Sequence, residues 1–483
     1  MKPMITAKKM LAASSLLSLI VLSACSGGSG NSSVADSGNN AAAAAVSSST
    51  EEVTVSLSVM TADRFLQLAE QKFEEQHPNI DIEIKEYEAA PSAEGNNKMM
   101  MTKMPDPQTT EKYASSIGAE LMSGKASDII VMNGLPAAKY ADKNLLADLG
   151  EMMKNDASFP MDHYYTDIFE AMKYNGVLYT VPAKVELNLW LGDKSVIDGS
   201  NVDDNAWSWA DFKNAAQTWL KDDNGDGQSD RYPLGKIEPV QLMTLMLNSS
   251  FSNFVDTAGK RASFDSQEFT GMLELAKSFY DEQIIYTDGA DNANVVIQPK
   301  AKTMGYMDMY MMPKMSSFEE SAAYYNLPSE NEQRGTQFTS SMPLAINSKS
   351  EHTEEAWEFV KFLLSDEMQS ANELNGIAVN KNGAKAQEEN LKNLGQNQGN
   401  GGQGGGKKLM LNINGKTADM EPATDADIAL IEEVLNRPKV YAETDPKIAA
   451  IVTEETAPFF QGQRSAEETA KIIQNKVGTY LLE

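Results

Sequence analysis

The sequence predicts an α/β fold with a parallel sheet, and the first third of the chain supplies three observations for it. Val53, Val55, Leu57 and Val59 alternate with polar positions, the period of a strand buried on one face. Phe65, Leu68, Ala69 and Phe73 then fall at helical spacing, and His77-Pro78 predicts the end of that helix. Ile80, Ile82 and Ile84 alternate again. Strand, helix and strand in such close succession predict a βαβ unit, which requires the two strands to run parallel.

Later segments extend the pattern. Ile129-Ile130-Val131-Met132 reads as a further strand running into the polar tip Asn133-Gly134. Ala356, Phe359, Val360, Leu363 and Leu364 make one apolar helical stripe. Ser465 with Glu468 forms a capping box for a helix whose stripe includes Ala470, Ile473, Val477 and Leu481. Residues 395–406 (GQNQGNGGQGGG) are low in complexity and read as a surface insertion. No internal repeat is found.

At 483 residues the chain is long enough for two or three packed units. Its formal net charge is −28, with the acids scattered along it, and a field of that sign repels phosphate backbones. Nucleic acid is therefore disfavoured as a partner. The single cysteine, Cys25, allows no intrachain disulfide.

That cysteine closes the N-terminal apolar run. Lys2, Lys8 and Lys9 precede an apolar stretch from Met10 to Leu22, as in a secretory signal. The run is short for a bilayer span and is diluted by Ser14, Ser15 and Ser18. Leu22-Ser23-Ala24-Cys25 resembles the bacterial lipobox, so residues 1–24 are expected to be removed and the Cys25 thiol to carry lipid, with diacylglycerol and palmitate as the expected modification. Residues 25–52 are nearly all Ser, Gly, Asn and Ala, the composition of a flexible tether. The expected location is the outer face of the cell membrane in a Gram-positive-type bacterium, held by the lipid alone.

From about residue 53 onward the order of segments resembles the family 1 extracellular solute-binding proteins of ABC importers. The segments that carry the resemblance are AEQKFEEQHPNIDIEI (69–84), SGKASDIIVMN (123–133, with Asp128 before a buried strand) and YNGVLYTVPAKVELNLWLGDKSV (174–196). WSWADFKNAAQTW (207–219), PLAINSKSEHTEEAWEFVKFLLSDEMQ (343–369) and FFQGQRSAEETAKIIQNKV (459–477) follow in the same order. The resemblance implies a type II periplasmic-binding-protein-like fold, two α/β lobes with a ligand cleft between them. Lobe one is expected to hold 53–183 and 342–390, and lobe two 184–341 and 407–483. It also implies a monomeric receptor that binds a small solute, most often a carbohydrate, and docks on importer permease subunits.

The resemblance places the ligand contacts at strand tips and crossing segments. The candidates are Thr61, Asp63 and Arg64 after the first strand, Asn133 after the second buried strand, Glu186 and Trp190 in the first crossing, and Asp308 and Tyr310 in GYMDMYMMP. Asp63 and Arg64 could equally cap the helix, and Trp190 could be core. Trp207, Trp209, Trp219 and Trp357 fall in predicted helical scaffold, leaving few tryptophans to stack on a sugar. The methionines, among them Met307, Met309, Met311, Met312 and Met315, suit core filling or an adaptable pocket.

One local motif points to a metal. Asp222, Asn224, Asp226, Gln228 and Asp230, with Gly227 among them, match the first part of a calcium loop, which needs hard oxygens converging in a tight turn. Position 12 is Pro233 rather than Glu, so an EF-hand is excluded, and Arg231 stands where some relatives of the family add an acid. A metal-free Asx-rich turn is the alternative. Any calcium would be structural; no catalytic cofactor is expected.

Catalysis finds little support in the residues. There is no second cysteine, the histidines are His77, His163 and His352, and no G-x-S-x-G, HExxH, phosphate loop or GxGxxG occurs. A surface glycosidase needs only two carboxylates, but the segment order does not supply a barrel. The expectation is a carbohydrate receptor and not an enzyme, with a peptide or other polar-solute receptor as the alternative.

Overall fold

The alternation at Val53–Val59 becomes a strand paired in parallel with Ile80–Glu86 over its whole length, Val53 opposite Ile80 and Val59 opposite Glu86. In this computed structural model the described residues are 52–482 apart from 89–106, 201, 228, 288–293, 300–301, 304, 331–333, 395–409, 414–415, 420 and 443–444. The leader, Cys25, the tether as far as residue 51, Gln228 and the Gly-rich insertion at 395–406 lie outside them. The chain divides into Met1–Thr50 and Glu51–Glu483, and the description below concerns the second unit.

Between the paired strands runs the helix Arg64–Gln76. Its N-cap is Asp63, whose side chain accepts from the Leu66 amide at 2.9 Å, and it stops at His77, where Pro78 cannot continue it. Phe65, Leu66, Ala69 and Phe73 form its buried face, and Phe73 meets Phe359 edge-on at 5.1 Å. Burying each large side chain stabilises the fold by about 1.5–3 kcal/mol. Phe359 lies on the helix Thr353–Leu363, which the stripe of apolar residues predicts.

The first sheet has the order Ile80–Glu86, Val53–Val59, Ile129–Val131, Pro343–Ile346, Val181–Pro182. Its first three strands are parallel, and Pro343–Ile346 returns antiparallel. Asp128 explains why an acid precedes the central strand. Its carboxylate accepts from the Ser56 amide (2.8 Å), the Ser56 hydroxyl (2.7 Å) and the Ser350 hydroxyl (2.6 Å), joining three separate segments.

The second sheet is built around Val185–Asp193, which pairs antiparallel with Thr336–Ser340, Ala322–Asn326, Val295–Gln298 and Lys302–Thr303. Parallel strands lie at its margins: Lys439–Tyr441 beside Thr336–Ser340, and Tyr232–Leu234 beside Val295–Gln298. Val185–Asp193 is covered on both faces, as a central strand must be. Val185, Leu187, Leu189 and Leu191 join an apolar cluster that continues to Leu57, Ile129 and Leu344 of the first sheet. Trp190 points the other way, into a cluster with Trp207, Trp209, Phe212 and Trp219.

The helix Trp209–Trp219 is opened by a capping box between Ser208 and Asp211. Trp207 therefore precedes the helix rather than lying in it, but is buried like the others. At the C-terminus the helix Ala466–Leu482 begins as its sequence predicts, the Ser465 hydroxyl accepting from the Glu468 amide at 3.1 Å. The two sheets with the helices packed on them make a mixed α/β architecture. Among the described residues no helix is long and apolar enough to cross a membrane.

Candidate binding cleft

Ligands of open α/β sheets sit beyond the carboxyl ends of the parallel strands. In the first sheet those ends are Met60-Thr61, Tyr87-Glu88 and Met132-Asn133, and the chain crosses toward the second sheet close to them. Two crossings are short: Ala183-Lys184 links Val181–Pro182 to Val185–Asp193, and Ser341-Met342 links Thr336–Ser340 to Pro343–Ile346. A third segment joins them where Ile377 and Val185 exchange backbone hydrogen bonds of 2.8 and 3.2 Å.

Polar side chains tie these tips together. The Thr61 hydroxyl donates to the Glu88 carbonyl at 3.1 Å, and the Ala62 amide to Glu86 Oε1 at 2.6 Å. Asn133 Nδ2 donates to the Ser341 carbonyl at 2.8 Å, linking a strand tip to a crossing. Asp63 spends Oδ1 on the helix cap and places Oδ2 against Lys184 Nζ in the other crossing. Arg64 is exposed at the first position of the helix. Glu186 stands two residues beyond Lys184, buried and directly opposite Thr339 on the neighbouring strand. Thr61, Asp63 and Asn133 are thus tied to the strand tips and crossings, with Arg64 next to Asp63 in the chain and Glu186 two residues past Lys184.

The other three candidates do not join them. Trp190 is fully enclosed, its ring centroid 4.9 Å from Phe212 and 5.7 Å from Trp209, and offers no face to a ligand. Tyr310 is also buried, its hydroxyl donating to the Glu421 carbonyl at 2.5 Å, with Lys314 Nζ 4.8 Å from its ring centroid. Burial pushes its phenol above the usual tyrosine range. The segment GYMDMYMMP, which holds the candidate contacts Asp308 and Tyr310, forms the helix Tyr306–Met315, whose apolar residues pack it into the core. Asp308 is half-buried in its first turn. Met309 and Met311 are core, whereas Met307 and Met315 are exposed.

Two residues at the cleft edge carried no signal in the sequence. Lys184 is a buried cation inside an apolar crossing. Tyr87, 44% exposed just past Ile80–Glu86, is an aromatic at a strand tip, its amide donating to the Val59 carbonyl at 3.0 Å.

The Asp-rich loop lies apart from this edge and is wired to its own backbone. Asp222 accepts from the Gly225 (2.6 Å) and Gly227 (2.9 Å) amides, and Asp230 accepts from the Asp223 amide at 2.7 Å. Asn224 Oδ1 accepts from the Asp226 amide at 2.8 Å. Gly225 and Gly227 have φ of 74° and 86°, the left-handed turns that glycine allows. Among the described residues no three His, Cys, Asp or Glu side chains are grouped to hold a metal.

The profile of the bacterial extracellular solute-binding proteins matches residues 61–370, well over half of the sequence. The chain belongs to this family. Among solved structures the solute-binding protein is similar to the sugar-binding protein MalE of Xanthomonas citri, at 13% identity and TM-score 0.56 over 89% of this chain and 97% of that one. It is similar also to a periplasmic oligogalacturonide-binding protein of Yersinia enterocolitica, at 13% identity and TM-score 0.54 over 89% and 99%. A third is the ABC substrate-binding protein Lmo0181 of Listeria monocytogenes, in complex with cycloalternan, at 15% identity and TM-score 0.50 over 89% and 99%. At these identities the likeness concerns the fold.

Proposed function

We propose that this solute-binding protein is the receptor of an ABC importer for an oligosaccharide, tethered through lipid on Cys25 at the outer face of the membrane. The observation that carries the ligand class is the set of polar groups gathered at the crossings: Thr61, Asp63, Asn133, Lys184 and Glu186, with Tyr87 as an exposed ring nearby. Closely spaced carboxylate, ammonium, hydroxyl and amide groups suit a solute rich in hydroxyls, and an aromatic face suits the apolar side of a sugar ring. The similarity to the sugar-binding MalE and to the oligogalacturonide-binding protein supports the same reading. Ligand touching both lobes favours the closed arrangement by its differential affinity, and the permease would engage that form. Signal and tether rest on the sequence of residues 1–52.

A thermal-shift screen tests this reading, with neutral oligosaccharides, oligogalacturonides and short peptides as probes. Oligosaccharides alone are expected to raise the melting temperature; stabilisation by peptides alone would replace the ligand class, and turnover of a glycoside would overturn the receptor assignment. We also propose a structural calcium at Asp222, Asn224, Asp226, Gln228 and Asp230. A chelator arm in the same screen is expected to lower the melt, and an unchanged melt contradicts the ion. Recovery of a Cys25→Ser chain in the membrane fraction would count against the anchor.

A further inference from the structure

A buried ammonium is costly unless it is paired and its donors are used. Lys184 is such a group: its side chain is 5% exposed, yet it lies in the short crossing between the two sheets. Room has been made for it, because a Cβ on Gly376 would lie 2.9 Å from the Lys184 Cβ. Its backbone carbonyl is held by the hydroxyl of Ser340, the last residue of the strand Thr336–Ser340, at 2.8 Å. The Phe65 ring lies under the charge, 5.1 Å from Nζ to the centroid, which adds a cation–π contact.

An ammonium has three donors. Among the described residues only one acceptor meets Lys184 Nζ, the Oδ2 of Asp63. Asp63 is itself 42% exposed and faces the cleft edge from the tip of the first strand. A half-exposed carboxylate therefore stands beside a buried ammonium with donors to spare, an acceptor and a donor held side by side. Two neighbouring hydroxyls of a sugar match that arrangement, one donating to Asp63 and the next accepting from Lys184. Both bonds are charge-assisted and so are the stronger kind.

We propose that Lys184 and Asp63 form a diol-recognising subsite on the floor of the cleft, with Lys184 as a specificity-determining residue for a polyhydroxylated solute. The pair is balanced in charge, so it takes a neutral diol without requiring an anionic ligand. This subsite rests on the carbohydrate reading above.

The test starts from the oligosaccharide that most stabilises the wild type and measures affinity by calorimetry, using that sugar and its monodeoxy analogues. Lys184→Met is expected to weaken binding roughly 10- to 100-fold, the scale of a hydrogen bond to a charged group. One monodeoxy analogue should bind the wild type weakly, yet lose little more on the variant, because the contact it lacks is already gone. A merely structural role for Lys184 would leave every deoxy penalty the same in both proteins. Asp63→Asn, which keeps an oxygen for the helix cap, provides a second variant should Lys184→Met fail to fold, and the same hydroxyl-selective loss is expected. Sugar binding that neither variant changes, or deoxy penalties identical in all three proteins, overturns the subsite and leaves the carbohydrate reading standing. A wild type stabilised only by peptides, or by none of the probes, overturns both.

Discussion

Trp190→Ala is expected to destabilise the protein by about 3–5 kcal/mol while leaving ligand affinity within about threefold of wild type. The indole is fully buried, in ring contact with Trp207, Trp209 and Phe212, so its removal leaves a cavity among rings that cannot collapse onto one another. It stands four residues along the strand from Glu186, about 13 Å at strand rise. Denaturant unfolding gives the stability change and calorimetry gives the affinity. A variant that stays stable but no longer binds would return Trp190 to the cleft as a sugar platform. The face of the strand that carries Trp190 faces the second aromatic cluster, whereas its neighbours Leu189 and Leu191 pack toward the first sheet.

Asp128→Ala is expected to cost about 2–4 kcal/mol, because three hydrogen bonds to a charged acceptor are lost at once and donors from Ser56 and Ser350 are stranded. The loss should be felt in the first sheet, since Asp128 joins Val53–Val59 through Ser350 to the loop that follows the return strand Pro343–Ile346. A pH dependence goes with it. Burial alone would push the Asp128 carboxyl up, but the Ser350 hydroxyl and the Ser56 hydroxyl and amide outweigh burial, and His352 adds to them, so the carboxyl sits below its usual range. A carboxylate held down in the folded state contributes stability that is complete above the unfolded value, near 3.9, and is lost as pH falls through the folded value. Wild type should therefore lose stability more steeply on acidification than Asp128→Ala. Equal acid slopes in the two proteins would show that Asp128 does not carry this contribution.

Much of the fold was legible because its signals are local. The alternation of Val53, Val55 and Leu57 and the stripe of Phe65, Leu68, Ala69 and Phe73 need no partner to be read, and they form a strand and a helix, although Leu66 is fully buried on that helix and Leu68 only partly. Ser208 with Asp211 and Ser465 with Glu468 mark helix starts by chemistry contained in four residues. The site was read less well because it is assembled from distant segments. Asp63 reads as a helix cap and is one, but its second oxygen meets a lysine 121 positions away. Nothing local distinguishes Lys184 from a surface lysine; only the crossing around it and Gly376 beside it reveal its burial. Tyr310 and Trp190 were misleading for the complementary reason. Aromatic residues serve equally well as core and as platform, and the packing of Tyr306–Met315 and Trp209–Trp219 decides between them.

Small-angle scattering of the protein, with and without a saturating oligosaccharide chosen by the thermal screen, tests most directly whether two lobes shut on a solute. The radius of gyration should contract on addition of the sugar, and it should contract less in Lys184→Met at the same sugar concentration. A profile that stays superimposable while calorimetry shows the site filled would contradict closure as the mechanism.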